Sequence, residues 1–205
     1  VLGCNAGPCW LWGQCAAHLG GDLGKDLVKE EAVPMVTFIG QSKGAALGPD
    51  ADASVLKRMC LDRPKMCTYV EWDEAERLSV PALAELLMTS LFCLSPPTTS
   101  PTRQGLFDSL AYGCIPVITS RESLARYRWH LPDWQAVSVV VPWDRLGGGG
   151  GGGVQVVDFL VAMAKDQAGE VRKKKLAIRT LAYSLQYSVA PGRKRGADAF
   201  EVTLQ

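Results

Sequence analysis

The sequence predicts an α/β fold, a Rossmann-like parallel sheet with helices on both faces. Two observations predict it. From Met35 onward, short apolar runs alternate with segments of helical periodicity. The runs are apolar throughout rather than at every second residue, so each strand is covered on both sides. Ligands of such sheets bind beyond the carboxyl ends of the strands, near helix N-termini.

Residues 35–39 form a β-rich run closed by Gly40, which suits a buried strand with a tight exit. Residues 53–60 place Val55, Leu56 and Met59 on one side of a helix, which Pro64 stops. Residues 67–70 are the next strand. Pro81 stands in the tolerated first turn of a helix carrying Leu83, Leu86 and Leu87. Residues 91–94 are a third strand, broken by Ser95-Pro96-Pro97. Residues 103–112 are an amphipathic helix through Leu106, Phe107, Leu110 and Ala111, with Gly113 at the C-cap. Residues 115–118 and 137–141 are the fourth and fifth strands, and 154–165 and 171–187 read as two closing helices.

Residues 1–23 read as an irregular leader, disordered or artefactual, and 24–205 as the folded domain. The seven consecutive glycines at 147–153 hold no fixed conformation cheaply and predict a flexible surface insertion. The chain starts at Val1 with no basic-then-apolar leader, and reads as part of a longer protein or a damaged gene model.

Composition narrows the function. Of 205 residues, 47% are hydrophobic and 21% charged, which is globular rather than disordered. A net charge of +1 disfavours a nucleic-acid partner, because phosphate binding wants a basic excess. No apolar run approaches the roughly 18–20 residues that span a bilayer. The run Arg172-Lys173-Lys174-Lys175 reads as a solvated helix face, and Arg193-Lys194-Arg195 as a solvated loop.

Seven cysteines are too sparse for a disulfide-dense miniprotein. Cys4, Cys9 and Cys15 do not read as a zinc site: His18 is the only nearby imidazole and the spacings are irregular. Cys60 and Cys67 either close a small loop as a disulfide or stay as two thiols. Cys93 and Cys114 read as small buried packing residues. The only asparagine, Asn5, lies outside a glycosylation sequon. Asp50-Ala51-Asp52 falls in a turn, so no metal site is expected, and no G-x-S-x-G elbow supports a serine hydrolase.

The chemistry concentrates between Leu91 and Ser120. There a strand is followed by the loop Thr98-Thr99-Ser100-Pro101-Thr102, a helix, a glycine turn and a strand. Hydroxyls, free backbone N–H groups, the helix dipole and the Arg103 guanidinium together suit a diphosphate. Asp108 follows about one and a half turns later, with Gln104 on the same face, placed to accept hydrogen bonds from a ribose diol. The same residues also admit a plain reading: Thr102 caps the helix, Arg103 is solvated, and Asp108 makes a local ion pair.

These residues bring a family with them. Phe92-Cys93-Leu94, Pro96, Thr102-Arg103, Leu106-Phe107-Asp108-Ser109 and Gly113-Cys114-Ile115-Pro116-Val117 resemble the signature of the exostosin-like glycosyltransferases. Further pieces agree in order: Lys25-Asp26-Leu27-Val28, Thr37-Phe38-Ile39-Gly40, Arg58, Cys60, Cys67, Val137-Ser138-Val139-Val140-Val141-Pro142 and Ala197-Asp198-Ala199-Phe200. The sequence departs from the pattern at Pro97-Thr98-Thr99 and at Gln104-Gly105.

The resemblance implies the C-terminal, donor-binding half of a two-domain GT-B glycosyltransferase, covering 24–205. The implied reaction moves a sugar from a nucleotide diphosphate sugar, a UDP-sugar by expectation, to a glycan or polysaccharide acceptor with inversion. In that scheme Arg103 holds the diphosphate and Asp108 the ribose. Ser100, Thr102 and Ser109 make lesser contacts, and Gly40 is a close-approach turn under the cleft. The catalytic base is not identified: neither His18 nor His130 is assigned, and an N-terminal acceptor domain would supply it. The family implies the lumenal side of the Golgi membrane. The alternative is a truncated, non-catalytic nucleotide-binding or degenerate module.

Overall fold

A computed structural model describes residues 35–40, 53–75, 78–96, 104–127, 131, 133–142, 145 and 155–185. Five parallel strands run in the order β2-β1-β3-β4-β5: β1 (Val36–Gly40), β2 (Cys67–Glu71), β3 (Phe92–Ser95), β4 (Ile115–Ile118) and β5 (Val139–Val140). Between them lie α1 (Ala53–Leu61), α2 (Trp72–Ala75), α3 (Val80–Thr89), α4 (Gln104–Ala111), α5 (Arg121–Arg126) and α6 (Trp134–Val137). After β5 come α7 (Val156–Asp166), α8 (Ala168–Leu181) and a 3-10 turn, Ala182–Leu185.

The first connection steps from β1 outward to β2. The next passes back across β1 to β3, and the later strands continue that way. Direction therefore reverses between β1 and β3, and a crevice opens at their carboxyl ends.

Every residue of β3 and β4 is buried. Successive side chains of a strand point to opposite faces, so both faces are covered. Phe38, Phe92, Ile115 and Val117 are among the fully buried side chains, as are Leu56 of α1 and Leu160 of α7. Burial of each contributes roughly 1.5–3 kcal/mol.

Local chemistry sets the helix ends. Ser79 caps α3, accepting from the Ala82 N–H at 3.4 Å, with Pro81 in the first turn. Gln155 caps α7 by accepting from the N–H groups of Val157 and Asp158, and its own amide donates to Met59 O at 2.8 Å. This fixes the start of α7 against α1. The end of α4 is a full Schellman closure. Gly113 takes φ +76°, its N–H donates to Leu110 O, and the Cys114 N–H donates to Ser109 O at 2.8 Å.

Three expectations about strands and helices change. The fifth strand is two residues rather than five. Asp133 accepts from the Ala136 N–H at 3.2 Å and starts the short helix α6, which takes the residues before Ser138 out of the strand. The last long helix ends at Leu181 and tightens into the 3-10 turn. The lysine run is not a uniformly solvated face. Val171, Lys174, Lys175 and Ile178 follow helical spacing and turn inward together. Lys174 donates to Gln135 O, and Lys175 donates to Gly113 O at 2.5 Å and Ser90 O at 3.4 Å. Arg172 and Lys173 remain exposed, with Lys173 paired to Glu170 at 2.7 Å.

Two disulfides form. Cys60 bonds to Cys67, closing the small loop between α1 and β2. Cys93 and Cys114 are not separate packing residues but bond to each other, joining β3 to the residue before β4. Both lie in a buried cluster with Leu87, so they pack as well as bond. Among the described residues no helix is long and apolar enough to cross a membrane.

Candidate functional site

The crevice at the reversal contains a cavity of about 230 Å³. Its floor is apolar: Ile39 of β1, Leu83 and Leu87 of α3, and Leu94 of β3. Its polar wall is Ser95 at the end of β3 together with Gln104, Gly105, Asp108 and Ser109 of α4. The first turn of α4 thus borders a cavity at the carboxyl edge of the sheet, where the helix dipole favours an anion.

Most polar groups around the floor are already engaged. Ser90 donates to Leu86 O at 2.7 Å, so the 2.5 Å contact between the Thr37 and Ser90 hydroxyls has Thr37 as donor. Ser109 is buried and donates to Gly105 O at 2.6 Å, which leaves its oxygen only as an acceptor. Asp108 differs. Among the described residues its carboxylate has no hydrogen-bond partner and no counter-charge, and burial raises its proton affinity above the ordinary carboxyl value. A carboxylate half-withdrawn from water with its acceptor sites open is suited to bind hydroxyl donors. The local ion pair of the plainer reading does not form among the described residues.

Gly40 ends β1 at the same edge of the sheet. A Cβ there would lie 2.7 Å from the tip of the Phe38 ring. That ring, buried against Tyr69 at 5.4 Å between centroids, accounts for the glycine from inside the protein. Ser100, Thr102, Arg103, His18 and His130 lie outside the described residues, as do the early cysteines and the glycine tract. The structure therefore brings Asp108 and Ser109 together with Gln104. It adds Ile39, Leu94 and Ser95, which sequence reading did not single out. The signal for these was their place at the ends of β1 and β3, usable only once the strand order is known.

A second, shallower groove of about 590 Å³ lies between α6 and α8, lined by Leu131, Val137, Leu176 and Leu181. None of its lining residues stands at a strand's carboxyl end. No group of three or more His, Cys, Asp or Glu side chains is placed to hold a metal ion among the described residues.

Residues 18–147 match the Exostosin GT47 domain, a span that includes the whole cavity. The chain belongs to the exostosin GT47 family. Xyloglucan-specific galacturonosyltransferase 1 of Arabidopsis thaliana is 30% identical over 173 residues, 83% of this chain and 25% of that protein. The probable xyloglucan galactosyltransferase GT13 of the same plant is 28% identical over 178 residues, 83% of this chain and 36% of its own length. Xyloglucan galactosyltransferase MUR3 is 32% identical over 127 residues, 60% of this chain and 20% of its own. The chain thus spans between a fifth and about a third of these exostosin relatives.

Proposed function

We propose that this chain is the donor-binding domain of an exostosin-type glycosyltransferase. The enzyme transfers a sugar from a nucleotide diphosphate sugar, a UDP-sugar, to a polysaccharide of the xyloglucan class. The observation that carries the reading is the cavity at the β1/β3 reversal, with the first turn of α4 and the Asp108 carboxylate, which has no partner among the described residues, on one wall. The relatives' activities on xyloglucan supply the acceptor class.

In this reading Asp108 accepts from the ribose hydroxyls while the apolar floor excludes water from the nucleoside. Arg103 and the α4 N-terminus face the diphosphate, with Ser100 and Thr102 beside it, while Ser109, whose oxygen can only accept, makes its lesser contact with a ribose hydroxyl. The acceptor hydroxyl attacks the anomeric carbon as the bond from that carbon to the diphosphate oxygen breaks, with inversion. Charge grows on the departing diphosphate, where a guanidinium and a helix N-terminus stabilise it most. The acceptor's proton goes to a base on the facing, acceptor-side domain. Two disulfides suit an oxidising compartment, which supports a lumenal Golgi location.

Calorimetric titration of the folded chain with UDP and GDP tests this. Saturable UDP binding is expected, weakened about tenfold or more in Arg103→Ala and in Asp108→Ala, roughly the worth of one hydrogen bond to a charged group. A folded chain that binds neither nucleotide would sink the donor-site reading and leave a degenerate module.

A further inference from the structure

We propose that Ser95 is a further donor-binding residue, its hydroxyl donating to a phosphoryl oxygen of the nucleotide. The proposal rests on reading the cavity as the donor site.

Ser95 is the last residue of β3 and lines the cavity. Its side chain stands on the cavity's side of the sheet. Thr37 and Cys93 pair in register, and Ser95 lies two residues beyond Cys93, so the three share one face. Leu87 of α3 packs against Cys93 on that face, and all four residues line the cavity. Ser95 is 8% exposed, yet among the described residues its hydroxyl makes no hydrogen bond. Its neighbours around the floor differ. Thr37 bonds Ser90, Ser90 bonds Leu86 O, and Ser109 bonds Gly105 O.

The same cavity is bordered by the first turn of α4, through Gln104 and Gly105. The N–H groups of that turn have no partner inside the helix. Nothing lies within 4 Å of where a Cβ of Gly105 would stand, so a ligand can approach this backbone closely.

An unmade hydrogen bond on a hydroxyl withdrawn from water destabilises the fold, and an alanine would avoid that cost. The hydroxyl is therefore explained by a state in which it is bonded. Its surroundings narrow the partner. A hydroxyl and the helix N–H groups, lining one cavity, call for an acceptor between them, and the helix dipole favours an anionic one. A charged oxygen also gives a desolvated hydroxyl its strongest bond. Asp108 lies one turn further along α4, away from its positive end, which leaves that carboxylate to the ribose hydroxyls.

The test compares Ser95→Ala with wild type in the full chain. Thermal unfolding is measured without ligand, UDP binding by calorimetry, and uridine binding by saturation-transfer NMR. Ser95→Ala is expected to unfold at the same or a higher temperature and to bind UDP about tenfold more weakly. Uridine binding should not change. UDP binding by Ser95→Ala within twofold of wild type would overturn the proposal and leave the hydroxyl to water. Equal losses for uridine and UDP would overturn it by moving the contact to the nucleoside. A markedly lower unfolding temperature, or a variant that does not fold, would give the hydroxyl a partner within the fold and overturn it as well. A folded wild-type chain that binds no UDP would instead remove the donor site itself, and this proposal with it.

Discussion

The two ends of α4 are built to opposite specifications. The C-terminal end is fastened three times over. Gly113 closes a Schellman turn, Cys114 is bonded to Cys93 of β3, and the Lys175 ammonium is drawn against Gly113 O and Ser90 O. The N-terminal end, about two turns away, is left open. Gly105 has nothing within 4 Å of where a Cβ would stand, and Asp108 has no partner among the described residues. The fold concentrates its ties where the helix meets the amino edge of the sheet and leaves polar capacity unspent where it meets the carboxyl edge. Binding sites drawn on rigid elements need that division: one end must hold still so the other can be specific.

The largest effect should come from cutting the strongest tie. The Cys93–Cys114 bond closes a loop with a sequence separation of 21. Replacing both with alanine should cost about 3.4 kcal/mol of unfolding free energy by the chain-entropy relation. Denaturant midpoints should show this loss in oxidising buffer and a much smaller one under reductant, where wild type loses its disulfides too. Equal losses in both buffers would mean that the pair contributes only by packing.

Lys175 sharpens the contrast through pH. Burial lowers its pKa from 10.5 to about 8. Between those values the unfolded chain binds the extra proton, so stability rises with pH across the window. The difference in unfolding free energy between wild type and Lys175→Met should climb by at most about 3 kcal/mol from pH 8 to 10.5. A flat difference would place the ammonium in water rather than against the carbonyls.

At the open end the expected sign is reversed. Burial raises Asp108 above its ordinary 3.8, so at neutral pH its half-buried carboxylate destabilises the fold. Asp108→Asn should unfold at a higher temperature than wild type at pH 7. The gap should close as pH falls through the raised value and past 3.8, below which wild type is neutral in both states. A less stable Asp108→Asn would show that the carboxylate has a structural partner.

The smallest effects come from a matched pair of glycines. Gly105→Ala adds a methyl to open space in a helix and should stabilise by up to about 1 kcal/mol. Gly113→Ala forces an L side chain into φ +76° and should destabilise by about 1–2 kcal/mol. Chemical denaturation of both reads the two ends of one helix against each other.

The sequence made the fold legible wherever a pattern is local. Continuous apolar runs marked the strands, 3.6-residue spacing the longer helices, and a single glycine the end of α4. It missed what depends on register or on short caps. The Cys93–Cys114 bond follows from β3 lying beside β4, which neither cysteine announces. Helices α2, α5 and α6 are four to six residues long, too short for periodicity to register. The lysine run misled because four adjacent charges wrap more than one face of a helix. At the site, Asp108 was legible by its spacing from Gln104. Ile39, Leu94 and Ser95 were not, since they converge only through the reversal of strand order.

That reversal also shapes how the chain reaches its native state. β1 is the earliest described strand in the sequence, yet it lies inside the sheet, with one edge taken by β2 and the other waiting for β3. During synthesis an apolar strand stands with an unpaired edge until residue 92 is available, a state that favours association with other chains over folding. Assistance from a chaperone at that stage would protect the same β1–β3 seam on which the cavity is later built.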